Sequence, residues 1–219
     1  MDKNRNKVIV GILLIIVLIP LLIGIKTKRS FQYTINQNLD FMDYQIINNT
    51  NKQKYYDQLD NIGDIFKDSP IVARVKMTNE REYLSQCVLS SVEVEDVLKG
   101  DIDLEREKKI YIYEPITVQV DAVYTSLGYI PMIEGNEYIV FLKQLKVPNG
   151  YNMSNKEKKS FMYYNPTYGK SDIDGLQPYI SDGSEQISIR DVSKNNVIIK
   201  KDNLNEYSKY QSIISQYLH

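Results

Sequence analysis

Histidine and cysteine are almost missing from this chain, and tryptophan is missing altogether. Its 219 residues include one histidine, His219 at the last position, and one cysteine, Cys87. A Ser-His-Asp triad, a Cys-His pair or a histidine-based zinc site needs a histidine held in stable structure, which a frayed chain end does not offer. A single cysteine cannot form an internal disulfide. We therefore predict no catalytic, cofactor-binding or metal-binding residue and no cofactor, and we expect that the protein is not an enzyme.

An excess of charge of either sign is also missing. There are 27 Lys and Arg residues against 28 Asp and Glu residues, which gives a formal net charge of -1. A protein that binds nucleic acid or another polyanion usually carries a basic surplus, because electrostatic attraction supplies much of the affinity. The composition therefore predicts that nucleic acid is not a partner.

One long apolar segment is present, and it predicts the location of the protein. Residues 8–25 contain no charged or amide side chain. As a helix this segment would span roughly 27 Å, close to the roughly 30 Å hydrocarbon thickness of a bilayer. Pro20 would remove one helical hydrogen bond near the far end. We expect a single transmembrane helix, so the membrane is the first partner.

The flanks of this segment favour an uncleaved signal-anchor. The basic head of residues 1–7 resembles the start of an export signal, whereas Gly24 to Arg29 contains no small-x-small cleavage pattern. Three basic residues lie on each side, so the charge bias that sets orientation is a tie. On the signal-like layout we expect a cytoplasmic head at 1–7 and an extracytoplasmic C-terminal domain, in a single-pass protein of the cell membrane.

The rest of the chain predicts short strands separated by turns. After a juxtamembrane linker at 26–51, apolar spacing predicts a helix over 52–67, and alternation predicts strands at 71–77, 87–98 and 109–113. The second strand changes phase at Asp96, which indicates a β-bulge. Residues 138–142 are apolar without alternation, as expected for a central strand covered on both faces. Weaker strand patterns follow at 160–164, 186–190 and 196–199.

The C-terminal segment has the pattern of an amphipathic helix over 201–219. Asn203 and Glu206 have the spacing of a capping box, and the apolar positions Leu204, Tyr207, Ile214, Tyr217 and Leu218 fall mainly on one side. The predicted fold class is therefore mainly β with flanking helices (α+β). It consists of a small β-barrel domain over 52–200 and a C-terminal helix, preceded by one transmembrane helix.

Three motifs in this order resemble a family. They are Ser69-Pro70-Ile71-Val72-Ala73-Arg74-Val75, then Val97-Leu98-Lys99-Gly100 at the end of the second strand, then Glu134-Gly135-x-x-Tyr138-Ile139-Val140-Phe141-Leu142. The pattern, over roughly 62–146, resembles bacterial exported domains that are similar to the OB-fold barrel of the tissue inhibitors of metalloproteinases. The resemblance implies an OB-like barrel. Those inhibitors act through an N-terminal cysteine, which has no counterpart here, so protease inhibition is not implied.

Four other features have a weak chemical interpretation. Cys87 is expected to pack as a small apolar residue near a strand. Asp172-Ile173-Asp174-Gly175 resembles part of a calcium loop, but the flanking ligand positions do not fit, and we predict a turn. Ser160 leaves a membrane-anchored Ser-Lys hydrolase as an alternative, because a desolvated lysine can replace histidine as the base. The tyrosines could form a stacking face for a wall glycan; they are Tyr111, Tyr113, Tyr163, Tyr164 and Tyr168.

Together these patterns predict a single-pass membrane protein. Its OB-like extracytoplasmic domain would act as a binding or assembly module for another component of the cell envelope, most simply a protein. Wall-glycan binding and hydrolysis remain the two alternatives.

Overall fold

The computed structural model describes residue 7 and residues 13–14, 16–24, 41–49, 65–100, 107–119, 122–174, 177–182 and 186–216. It divides the chain into two units, Met1–Leu39 and Asp40–His219. In the first unit, residues 13–14 and 16–24 are helical. Nine large apolar side chains between Leu13 and Ile23 are each at least 47% exposed. Within the described ranges, no helix reaches the length and apolarity needed to cross a membrane.

The second unit is mainly β with few and short helices, as predicted. Its strands are β1 (Gln45–Asn49), β2 (Ile71–Tyr83), β3 (Val88–Lys99), β4 (Lys109–Glu114), β5 (Ile116–Val118), β6 (Ala122–Ser126), β7 (Glu137–Gln144), β8 (Ser160–Tyr163), β9 (Lys170–Asp172), β10 (Tyr179–Ile180), β11 (Ile187–Ser188) and β12 (Ile198–Ile199). Its helices are α1 (Ile65–Asp68), α2 (Asn155–Lys158), α3 (Ile189–Val192) and α4 (Leu204–Ser215). Most of the predicted helix over 52–67 lies outside the described residues.

Five strands pair in a ring, in the order β2-β3-β4-β8-β7 and back to β2. Four of the five pairings are antiparallel, and β4 with β8 is parallel. We call this the five-stranded ring. β9 extends it by pairing with β7. Because each strand of the ring has a neighbour on both sides, edge groups of the backbone are largely satisfied within the ring.

The bulge predicted near Asp96 is present in β3. Arg74 of β2 faces Asp96, but the next residue, Val75, faces Val94, so Glu95 is left without an opposite residue. The extra residue accounts for the phase change in the sequence and increases the local twist, which helps a short strand to curve around a ring.

The prediction for residues 138–142 is also confirmed. All five side chains are buried, and β7 pairs with β2, β8 and β9. Ile139 and Phe141 belong to a core cluster that includes Tyr210 of α4, and the rings of Phe141 and Tyr210 are 6.5 Å apart. Alternation then directs Val140 and Leu142 to the opposite face of the strand. Thus β7 separates two apolar layers.

A second sheet corrects the linker assigned to 26–51. Its strand order is β11-β1-β6-β5, and Gln45 to Asn49 pair in parallel with Ala122 to Ser126. Ile46 packs beside Ile187 in a smaller core cluster. The polar run that follows Ile47 suggested a loop, but pairing with β6 supplies the backbone hydrogen bonds that the segment needs. Residues 41–49 therefore belong to the second unit.

Three other predicted boundaries need correction. The strand over 186–190 ends at Ser188, because the Ser188 hydroxyl accepts from the N–H of Asp191 over 3.2 Å and begins α3. The strand over 196–199 is limited to Ile198–Ile199. Before α4, residues 201–203 form a 3-10 turn, and Asn203 makes no side-chain cap hydrogen bond, so the predicted capping box is absent.

The helix α4 is part of the second unit rather than an appendage. Tyr207, Tyr210 and Ile214 are buried, as the apolar spacing indicated for Tyr207 and Ile214. The Tyr210 hydroxyl donates to the carbonyl of Lys170 over 3.0 Å, so α4 covers the outer edge of β9. Tyr217 and Leu218 lie outside the described residues.

Candidate functional site

The most polar part of the interior is centred on Glu114, the last residue of β4. Its side chain is fully buried. One oxygen accepts from the Tyr129 hydroxyl over 2.8 Å and from the main-chain N–H of Met132 over 2.9 Å, and the other accepts from the hydroxyl of Ser90. The guanidinium of Arg81 lies 3.4 Å from this second oxygen. Four donors therefore surround one carboxylate, which is how a buried charge is tolerated.

Arg81 links the same carboxylate to the buried segment that follows β6. Its guanidinium also donates to the carbonyl of Met132. Tyr129, Ile130 and Met132 are each about 1% exposed or less. We call residues 129–132 the plug, because all four are buried beside Glu114 at the end of β4. Glu114 accepts from the N–H of Met132, and Arg81 donates to its C=O. The ion pair therefore holds the plug by both main-chain groups of this residue.

Two tyrosines extend this network. The hydroxyls of Tyr129 and Tyr163 are 2.9 Å apart, and their rings are 5.3 Å apart. Burial raises the pKa of Tyr129, and the negative charge of Glu114 raises it further. The Tyr129 phenol therefore remains protonated at neutral pH and acts as a hydrogen-bond donor.

Lys170 of β9 is buried beside the ring of Tyr129, whose hydroxyl donates to Glu114. Its ammonium nitrogen donates one hydrogen bond, to the main-chain carbonyl of Asn196 over 3.1 Å. It lies 5.3 Å from the centre of the Tyr129 ring and 5.1 Å from that of Tyr138. Burial lowers the pKa of Lys170 to about 8, although the negative charges of Glu114 and Asp172 oppose this shift.

Asp172 and Asn196 complete the buried polar group. The N–H of Asp172 donates to the side-chain oxygen of Asn196 over 3.2 Å, and the side-chain nitrogen of Asn196 contacts Ser171 Oγ and the Tyr207 hydroxyl, each at 3.3 Å. Burial raises the pKa of the Asp172 carboxyl. We call Lys170, Asp172 and Asn196 the β9 triad.

No pattern in the sequence predicts Glu114, Arg81 and the β9 triad as a group. The sequence does contain one indication that Glu114 is buried. It follows Ile110 and Ile112 at the period of a strand, so it had to face the interior with them, where a carboxylate needs partners. Arg81 and Lys170 lie in strongly polar segments, where no pattern distinguishes an inward-facing cation from an exposed one.

The five tyrosines of the proposed stacking face do not share one surface. Tyr163 and Tyr168 are buried, whereas Tyr111, Tyr113 and Tyr164 are partly exposed. The ring of Tyr111 is covered by the ammonium of Lys156 at 4.9 Å. A flat, open aromatic platform of five rings is therefore not formed.

Ion pairs instead surround Tyr111 on the outer surface of the domain. Lys109 pairs with Glu80 at 2.5 Å, and Lys156 of α2 pairs with Glu82. We call Tyr111 and these four charged residues the β4 surface. It combines both signs of charge with one aromatic ring on the outer side of β2 and β4.

The other candidate residues have ordinary structural roles. Ser160 is buried, and its hydroxyl donates to the main-chain carbonyl of Lys156 over 2.8 Å. Cys87 precedes β3 instead of lying within it, and burial raises the pKa of its thiol, so it is a poor nucleophile. Ile173 and Asp174 form a turn after β9, in which the N–H of Asp174 donates to the Asp172 carboxylate over 2.9 Å, and Gly175 of the predicted turn lies outside the described residues. His219 lies outside the described residues.

Among the described residues, no group of three or more His, Cys, Asp or Glu side chains could hold a metal ion. Comparison of the chain with protein-family models and with curated protein sequences finds no match.

Proposed function

We propose that this chain is a single-pass membrane protein whose C-terminal domain binds another protein of the cell envelope. The observation that carries the proposal is the run of exposed apolar side chains between Leu13 and Ile23. These side chains occupy every face of the helix, and a helix that is apolar all round needs a nonpolar environment. Together with the uncharged length of residues 8–25, this favours a bilayer anchor.

The domain is proposed to be an OB-like barrel. OB folds are five-stranded Greek-key barrels. The ring order β2-β3-β4-β8-β7, with β4 and β8 parallel, has the strand count and the non-sequential order expected of such a barrel. The plug is buried, and the carboxylate of Glu114 already has its hydrogen-bond partners among buried residues. Ligand recognition is therefore assigned to the outer surface.

The β4 surface is the part of the exterior that fits a protein partner best. OB folds commonly bind ligands on the face of their second and third strands, which correspond to β3 and β4 in this ring. The ion pairs around Tyr111 present both charge signs, so a partner with complementary charges could exchange these contacts for its own. Orientation of the domain outside the cytoplasm remains the prediction from the N-terminal layout.

The two alternatives have less support. Stacking of a wall glycan needs an open ring face, and the face of Tyr111 is covered by Lys156. A Ser-Lys hydrolase needs an accessible serine, and Ser160 is buried with its hydroxyl bonded to a carbonyl.

Site-specific photo-crosslinking in intact cells tests the proposal. A photoreactive residue would replace exposed Asn155 at the start of α2, beside the β4 surface, and in a matched control it would replace exposed Lys209 on α4. We expect a discrete adduct with one envelope protein from position 155 and none from position 209. No adduct from position 155, or the same adducts from both positions, would contradict a partner at the β4 surface.

A further inference from the structure

We propose that Lys170 and Asn196 form a covalent crosslink, an amide bond between the lysine Nζ and the side-chain carbon of the asparagine. The pair lies in the β9 triad, where Lys170 already contacts Asn196 and both side chains are at least 96% buried. The inference does not depend on the proposed function.

The hydrogen bonding of the lysine nitrogen supports the crosslink. A buried ammonium carries three donors and normally pairs with a carboxylate. Within the described residues, the Lys170 nitrogen donates one hydrogen bond, to a carbonyl, and the aromatic faces of Tyr129 and Tyr138 lie close by. The two aromatic faces can receive a cation, but two of the three ammonium donors have no oxygen or nitrogen acceptor among the described residues, whereas the one N–H of an amide would need a single acceptor.

The three groups needed for the reaction belong to one buried cluster, in which Nζ of Lys170 lies at the main-chain carbonyl of Asn196. A nucleophilic amine must be unprotonated, and the lowered pKa of Lys170 provides a neutral fraction near pH 7 to 8. The side-chain oxygen of Asn196 accepts from the N–H of Asp172 over 3.2 Å, which polarises the amide carbonyl toward attack. The Asp172 carboxyl, whose pKa is raised, lies in the same buried group and can carry a proton.

The reaction converts an amine and a carboxamide into a new amide and ammonia, so it needs no oxidant or co-reactant. The Nζ lone pair of neutral Lys170 attacks the side-chain carbon of Asn196, and the carbonyl electron pair moves onto the oxygen beside the Asp172 N–H. Asp172 transfers a proton from the lysine nitrogen to the departing amide nitrogen. The new C–N bond forms, the old one breaks, and ammonia leaves. A rotation of the Lys170 side chain must first move Nζ from the main-chain carbonyl of Asn196 to the side-chain carbonyl.

The bond would join β9 to the residue that precedes Val197 and β12, across 26 positions of the chain. Like a disulfide, it would limit the freedom of the unfolded chain. It would do so in a protein whose single cysteine excludes an internal disulfide. The site is enclosed by α4 through Tyr207, so water has little access to the reacting carbonyl.

Intact-protein mass spectrometry of the full chain, purified in detergent, tests the proposal. We expect a mass about 17 Da below the sum of its residues, because ammonia has been lost. A tryptic digest should contain the peptides of Lys170 and Asn196 joined together. Asn196→Ala and Asp172→Asn should restore the full mass, whereas the neighbouring Asn195→Ala should retain the loss.

Two results would overturn the crosslink. One is a wild-type chain with its full calculated mass. The other is a loss of about 17 Da in which the two peptides are separate, since an asparagine that cyclises on its own backbone loses the same mass. The wild-type measurement decides the question even where a variant fails to fold.

Discussion

The main-chain N–H of Met132 donates to Glu114 over 2.9 Å, while the carbonyl of the same Met132 accepts from Arg81. One residue of the plug is therefore held between the two members of an ion pair whose side chains are 13% and 0% exposed. This arrangement fixes the position of the plug, and it predicts which polar substitution the fold tolerates least.

Glu114→Ala should destabilise the domain by about 3 to 5 kcal/mol, because it removes the carboxylate from the largely buried Arg81 and the acceptor from the N–H of Met132. The matched control is Glu137→Ala, since Glu137 pairs with Arg74 at 3.0 Å on the surface with both side chains more than a third exposed. That change should cost below about 1 kcal/mol. Urea unfolding of a fragment starting at Asp40, which keeps β1, would measure both, and similar losses at the two positions would contradict the role of Glu114.

Phe141→Ala should cost about 3 to 5 kcal/mol, because it removes a fully buried ring between β7 and α4 and leaves a cavity. Tyr113→Ala removes a partly exposed ring and should cost far less. Urea unfolding would measure both losses, with a check that the unfolding free energy depends on urea concentration with the same slope in each variant. Small, equal losses would show that residues 138–142 do not form a buried strand.

Gly128→Ala should be severely destabilising. Gly128 has φ +77°, and a Cβ there would lie 1.9 Å from the carbonyl oxygen of Ile198, whose own N–H donates to Gly128 over 2.8 Å. Gly135 has a similar φ of +82° but open space around its Cβ position. Gly135→Ala should therefore show only the backbone strain, about 1 to 2 kcal/mol. A thermal-melting comparison in which both variants behave alike would exclude the close contact at Ile198.

Stability should fall as the pH rises above 10. Burial raises the pKa of Tyr207 to about 12 and that of Tyr210 well above its usual 10. Groups with a raised folded-state pKa contribute stability that is complete below the unfolded pKa and is lost as the pH rises through the folded one. The unfolding free energy should therefore decline from pH 10 upward, and less steeply in Tyr210→Phe. An unchanged slope in that variant would mean that Tyr210 ionises freely in the folded domain.

The features that could be predicted from the sequence are those set by local periodicity. The apolar run of β7, the bulge near Asp96 and the helical face of Tyr207 and Ile214 each follow from the spacing of neighbouring residues. Their side chains need no distant partner to define which face is buried.

The features that could not be predicted depend on residues far apart in the chain. β1 exists because Gln45 to Asn49 meet β6, about eighty positions away, and polar residues give no sign of such pairing. Arg81, Glu114 and Met132 likewise come together only when the ring closes. The β9 triad depends on the contact of Lys170 with Asn196, and nothing in either segment indicates the other.

The most direct test of the proposed function is the location of the C-terminal domain in intact cells. Cells with the wall removed would be treated with protease, and a tag placed after His219 would be followed together with a cytoplasmic control protein. We expect the chain to sediment with membranes after alkaline extraction, and we expect the tag to be digested while the control protein survives. A tag protected until the membrane is opened, or a chain released by alkaline extraction, would contradict an anchored domain on the outer side.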